Sequence, residues 1–419
     1  MKVSAGGLAI AIGGVLTVVM VLSSSPAHAD ATARVDGVVS DVPGFTFVTD
    51  PNLINPIGIA SSAASPAWVA DNGAGSATLY NVNPRQVVPL VVSVPSTGNS
   101  LGPAGAPTGD VFNIGAGNGD FAVSGFASNG SARTAASLFM FATNNGTIAG
   151  WSPEVNPAGV TPAPVSTHAI TAVSSPGSNY TGLAIASNGG ANLLYAANFA
   201  KGTIDVFNPT FTNMTPAGSF TDPTLPAGFA PFNVQTLNGS LFVTYARTDG
   251  SPGGIVDKFG TNGGFVARIA TNGPLDAPYG LAIAPASFGA LAGALVVGNH
   301  GDGTIDFFDP TTGTFLGKLI DPAGGTWTVP GLWALLVGNG NSGGSPSEIL
   351  FTAGPNEGLD GLFGEISPVV PDSPFTPLNF PFRGAAVPEP ASLSLLATGF
   401  GILCIARRRR CASRNSAPS

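Results

Sequence analysis

Asp71, Asn72, Asn145, Asn198 and Asn299 recur at one place in an internal repeat, each where the second apolar strand of a copy gives way to a turn. Carboxylate and amide oxygens of this kind are hard donors, the sort that hold calcium in six- to eight-fold coordination. The same residue types are also what tight turns demand, each bonding its own backbone. Both readings stand, and the preponderance of Asn would make any calcium site a weak one. Of the three histidines, His28 lies in the leader, His168 in a Pro-rich connector and His300 in the turn-forming run Gly298 to Gly303. No His-Glu-x-x-His or phosphate-loop pattern appears, so no recognisable metalloprotease pair or nucleotide cradle is on offer. Gly115 to Asp120 lacks the terminal carboxylate of a calcium loop and reads as an ordinary connection.

Composition narrows the classes further. Between Asp30 and Ala386 there are nine Lys and Arg against 22 Asp and Glu, a balance of −13. Nucleic acid and anionic lipid need a basic patch, and this segment has none to give. Both cysteines, Cys404 and Cys411, lie in the C-terminal tail, which excludes a disulfide framework, a thiol nucleophile and a cysteine metal site from the main body. Abundant Gly, Pro, Asn and Thr between short runs of Val, Ile, Leu and Phe suit strands and tight turns.

Those runs repeat. Pro56-Ile57-Gly58-Ile59-Ala60 with Trp68 to Gly73 returns as Thr181-Gly182-Leu183-Ala184 with Leu194 to Asn198, and again as Tyr279-Gly280-Leu281-Ala282 with Leu295 to Gly301. Weaker copies begin at Phe121, Phe232 and Gly331, making six, with successive second strands about 50 to 70 residues apart. Short strands at such a period predict an all-β fold, a six-bladed β-propeller over about 39–368 within a domain of 30–386. Gly58, Gly182 and Gly280 should occupy equivalent places in the innermost strands, where a side chain would clash. Arg268 to Thr271 or Phe315 to Ile320 supply candidate fourth strands, and Phe45 to Thr49 a candidate closing strand.

The two ends are address labels. Lys2, the apolar stretch Leu8 to Leu22 and Ala27-His28-Ala29 before Asp30 have the order of a secretory signal peptide over 1–29, cut by signal peptidase after Ala29. At the other end stand Val387-Pro388-Glu389-Pro390, an apolar run over 391–406, and Arg407-Arg408-Arg409-Arg410. The apolar run would make roughly 24 Å of transmembrane helix, with arginines at the cytoplasmic end. Together these C-terminal features, over 387–419, resemble the PEP-CTERM sorting signal. That resemblance implies a Gram-negative source, a transiently anchored tail, and processing by an exosortase that delivers the protein to the envelope or releases it. The nine residues after the Arg block, Cys411 to Ser419, depart from the usual ending. Asp50 to Ala60 with Trp68 to Gly73 further resemble an uncharacterised family of exported bacterial propeller proteins, with NHL-like repeats in general style.

On these grounds the chain reads as an exported surface or matrix propeller without catalysis or cofactor, binding extracellular polysaccharide or a surface protein in a biofilm. The alternative, implied by resemblance to lactonase-like propellers, is a calcium-dependent lactonase or esterase using the five repeated Asp and Asn residues.

Overall fold

The computed structural model describes residues 8–12, 15–19, 30–97, 101–102 and 104–369. Ala27, Ala29 and the whole C-terminal address, from Val387 and Pro388-Glu389-Pro390 through 391–406 to Arg410, lie outside the described residues. Within the leader, Leu8–Ile12 and Val15–Val19 pair as an antiparallel hairpin.

From Ala31 onward the chain is nearly all β and propeller-like. The first sheet contains Pro56–Ala60, Ala67–Asp71, Ser76–Asn81 and Gln86–Ser93, in that spatial order. The second contains Pro107–Phe112, Phe139–Thr143, Thr147–Trp151 and Ile170–Ser174. The third has Tyr180–Asn188, Ala191–Asn198 and Thr203–Phe207. The fourth has Phe229–Leu237, Ser240–Arg247, Ile255–Phe259 and Phe265–Thr271. The fifth has Pro278–Ile283, Leu295–Asn299, Ile305–Phe308 and Phe315–Ile320. In the sixth group, Leu332–Val337, Ile349–Ala353 and Leu362–Pro368 are joined by Ala31–Ser40 from the other end of the chain, which also pairs in parallel with Phe315–Ile320 and so links the fifth and sixth groups edge to edge in one nine-stranded sheet.

Each sheet leans on the next through its innermost strand. Glycine recurs there because the approach leaves no room for a Cβ. One added to Gly58 would fall 2.6 Å from the Thr108 carbonyl oxygen, and one on Gly109 2.4 Å from the Leu183 nitrogen. A Cβ on Gly182 would meet Asn233 Oδ1 at 2.1 Å, and one on Gly280 the Trp333 carbonyl at 2.6 Å. Real Cβ contacts are never so short, so the equivalence expected of Gly58, Gly182 and Gly280 holds. Hydrogen bonds complete the circuit: Asn233 Nδ2 donates to Tyr279 O at 2.9 Å, and Thr352 Oγ1 to Ile57 O at 2.6 Å. The innermost pair of every sheet also carries a register shift, as between Pro56 and Ile59 or Tyr180 and Gly182. Such bulges raise the local twist where the strands crowd together.

Apolar side chains fill the wedges between sheets. Trp68 stacks on Phe139 with centroids 4.2 Å apart and touches Trp151, cementing the first sheet to the second. Tyr195, Phe220 and Phe259 do the same between the third and fourth.

The structure corrects two strand assignments. The innermost strand of the second sheet is Pro107–Phe112, not the run beginning at Phe121; Ala122–Phe126 instead pairs with Ala132–Ala136 in a separate hairpin. Thr108-Gly109-Asp110-Val111 carries only one large apolar residue, so the pattern there is weak. The closing strand is Ala31–Ser40, and Phe45 to Thr49 contributes only the short Val48–Thr49 segment beside it. Ala31–Ser40 reads as polar as it does apolar, and only the sheet it completes reveals its role.

Candidate functional site at the axial mouth

One residue per innermost strand points at the common axis, four of them directly before a glycine and the others before Asn233 and Ala334. Ile57, Thr108, Thr181, Phe232, Tyr279 and Trp333 line a small void, with Asn144 at its edge. Its volume of about 10 Å³ is room for roughly one water. The axis is therefore plugged, and chemistry with a larger molecule is confined to the rim above the plug.

That rim has two unlike arcs. One is a chain of side-chain amides. Trp333 Nε1–H donates to Asn55 Oδ1 at 3.2 Å, Asn55 Nδ2 to Asn72 Oδ1 at 3.4 Å, Asn72 Nδ2 to Asn144 Oδ1 at 2.8 Å, and Asn144 Nδ2 to Asn179 Oδ1 at 2.9 Å. Asn72 also donates to Pro107 O. Every link runs in the same sense, so each bond polarises the next. Asn55, Asn144 and Asn179 are half-buried and reach solvent. The asparagines sit where they do because the starts of innermost strands and the ends of second strands meet at this face.

The other arc is aromatic. His300 stacks on Trp333 with centroids 3.6 Å apart and planes 20° apart. Phe232 packs against Phe199, Tyr279 and Trp333. His300 Nδ1 lies 3.0 Å from the Leu332 carbonyl, which can only accept, so Nδ1 carries the proton and Nε2 is left as an acceptor. Burial pushes the imidazole down to about 4, against the pull of that carbonyl, so the ring is neutral at pH 7. Tyr279 donates its hydroxyl to Thr181 O at 2.7 Å, and burial raises its pKa well above the ordinary value. Among the described residues no Lys or Arg contributes to either arc.

The residues singled out from sequence have different fates. Asp71, Asn198 and Asn299 do end their second strands at equivalent places. Asn198 Nδ2 donates to Asp205 and Ser178, and Asn299 Nδ2 to Asp306 and Thr304, each bracing its own hairpin. Asn72 alone among the five turns its amide into the rim. Asn145 is exposed, and its neighbour Asn144 is the equivalent of Asn72. Asp71 is fully buried beside Thr78, and neither of its carboxyl oxygens has a hydrogen-bond partner. Burial, helped by Asp50 and Asp110, raises its pKa well above the usual carboxylate range; burial does the same to Asp110. Among the described residues no group of three or more His, Cys, Asp or Glu is arranged to hold a metal ion. His168 pairs with Ser93 in an isolated parallel bridge, and its Nδ1 lies 3.0 Å from Thr167 Oγ1. Sequence reasoning missed Asn55, Asn144, Asn179, Phe232 and Trp333, and it read His300 as a turn residue. Placing Asn233 and Ala334 in the position of Gly58, Gly182 and Gly280 would have exposed Phe232 and Trp333, which stand where Ile57 and Thr181 do.

Fold and rim together define a nearly all-β, propeller-like protein with a half-buried amide chain beside a buried aromatic cluster on its axis. Residues 386–410 match the PEP-CTERM protein-sorting motif, which marks an exported protein sorted to the cell envelope or surface through exosortase processing. Two uncharacterized proteins of Acanthamoeba polyphaga mimivirus are similar along most of their length. One is 28% identical over 354 residues (81% of this chain, 82% of its own), the other 30% identical over 359 residues (81% of this chain, 87% of its own). The chain belongs to the same family as that second mimiviral protein. Among solved structures it is similar to streptogramin B lyase, at 12% identity and a TM-score of 0.46, over 82% of this chain and all of that one. It is also similar to a structural genomics protein of unknown function from Bacteroides thetaiotaomicron, at 9% identity and a TM-score of 0.48, over 86% of this chain and 87% of that one.

Proposed function

We propose that the chain is an exported six-bladed β-propeller that binds a neutral, polyhydroxylated ligand, an extracellular polysaccharide, at its axial mouth, without catalysis. Signal peptidase cuts after Ala29 to leave Asp30 first, and the PEP-CTERM tail carries a membrane span over 391–406 until exosortase acts near Pro388-Glu389-Pro390. The six-blade reading is supported by the circuit of close approaches from Gly58 around to Thr352.

The observation that carries the ligand class is the split rim. Sugar rings present apolar C–H faces to rings, here the half-buried His300 and Phe199 above the buried Phe232, Tyr279 and Trp333, and hydroxyls to the half-buried amides of Asn55, Asn144 and Asn179. An anion would find no cation at this rim. A threaded polymer would find no passage through the plug.

Binding of neutral oligosaccharides to residues 30–386, followed by calorimetry, tests the reading. Trp333→Phe should weaken binding through loss of the indole N–H and of stacking area. Absence of binding across neutral glycans, or chelator-sensitive hydrolysis of lactones or esters lost in Asn72→Ala and Asn299→Ala, would replace it with the calcium-dependent hydrolase.

A further inference from the structure

The strand directions fix which face of the ring carries the tail. Pro56 pairs with Asp71, Tyr180 with Asn198 and Pro278 with Asn299, so the ends of the strands that bear the amide and aromatic rim all meet at one face. In the sixth sheet Ala353 pairs with Leu332 and with Leu362, placing Leu362 at that same face. From there Leu362–Pro368 runs the other way for seven residues, about 20 Å of strand. It ends with Pro368 beside Ala33, and Val369 N–H donates to Thr32 O. Asp30 and Val369 therefore both lie at the face opposite the mouth. Only 16 residues separate Val369 from the sorting motif at 386, at most about 55 Å fully extended.

We propose that the propeller is held from its tail face with the axial mouth turned away from the surface to which the sorting signal delivers it. Its partner is then polymer on the outer side, and the protein acts as a bridge between the envelope and a neutral matrix polysaccharide. The bridge rests on the ligand reading above; the orientation does not.

The test uses the full chain with Cys404→Ser and Cys411→Ser, tethered through Glu389→Cys to vesicles containing maleimide lipid and an energy-transfer acceptor lipid. A donor dye is placed through an azide-bearing residue at exposed Lys201, in the turn after Asn198 on the mouth face, or at exposed Thr311, in the turn between Phe308 and Phe315 on the tail face. Transfer should be at least about twofold more efficient from position 311 than from 201. Equal or reversed transfer overturns the orientation. A soluble neutral glucan should then be captured by the tethered protein as well as it binds the same protein free in solution. Capture lost on tethering overturns the bridge. Transfer asymmetry without glucan binding in either format also overturns the bridge, through failure of the ligand reading alone.

Discussion

The two arcs of the rim solve one problem in different ways. On the side of the first three sheets the axis is narrowed by short polar residues, Thr108 and Thr181, and the rim above is closed by amides that bond one another. On the side of the last three, large rings fill the space outright: Phe232, Tyr279 and Trp333, with His300 laid over the indole. The aromatic arc is held by burial and shape, so its loss leaves a cavity. The amide arc is held by direction, so its loss leaves donors and acceptors that water can still serve. The first should be expensive to disturb and the second cheap. Trp333 belongs to both, since its ring packs in one arc and its N–H starts the other.

The largest expected effect is therefore Trp333→Ala. It removes the surface under His300, Phe232 and Tyr279 and should cost about 3–5 kcal/mol, read as a lowered denaturation midpoint. A change below about 1 kcal/mol would mean the aromatic arc is not a packed plug.

Acid should come next. His300 has a folded pKa near 4, below its ordinary 6.5, so the stability it contributes is intact above 6.5 and is lost as pH falls through 4. Over that window the loss should approach roughly 3 kcal/mol. Unfolding curves for wild type and His300→Phe between pH 7 and 4.5 should converge in slope if another group is responsible. Asp257 provides the opposite trend, because burial pushes it up to about 7. A raised carboxyl costs stability as pH climbs from 3.8 towards 7, so Asp257→Asn should flatten the profile between those values, while Arg268 loses its pair with Asp257 and keeps its contact with Asp222.

Crowding at the innermost strands gives a smaller effect. Gly182→Ala places a methyl group against Asn233 and should cost about 1–3 kcal/mol, whereas Gly177→Ala has open space and tests only the backbone. Equal costs at both positions would show that the close approach between third and fourth sheets is not what selects glycine.

Asn144→Ala should cost least, about 1 kcal/mol, because the buried Asn72 Nδ2 keeps its bond to Pro107 O and the half-buried Asn179 lies where water reaches. Its larger consequence should be on ligand affinity. If stability fell as far as in Trp333→Ala, the contrast between the arcs would be lost.

Much of this architecture was legible in the chain. The recurrence of Gly58, Gly182 and Gly280 after an apolar or polar residue, and of Asx at the ends of second strands, follows from backbone demands that every copy shares. A strand that crowds an axis needs glycine, and a hairpin needs Asx, wherever the copy falls in the sequence. The tail motif was equally plain, because an address is read as a linear string. What each copy does with its remaining freedom was not legible. Asn72 and Asn299 look alike in sequence, yet one faces the rim and the other its own Asp306. Asn144 and Asn145 are adjacent, and only strand register decides which of them reaches the axis. The hairpin after Pro107–Phe112 displaced the strand expected at Phe121, since an insertion does not announce which flanking run it interrupts. The sequence by itself determined the local repertoire: short strands, their turns, their glycines and the sorting motif at the C-terminal end. Only the tertiary structure decided that Trp333, Asn55 and Asn179, drawn from three different copies, would share one rim, because contacts between residues more than a hundred positions apart depend on ring closure and not on any local preference.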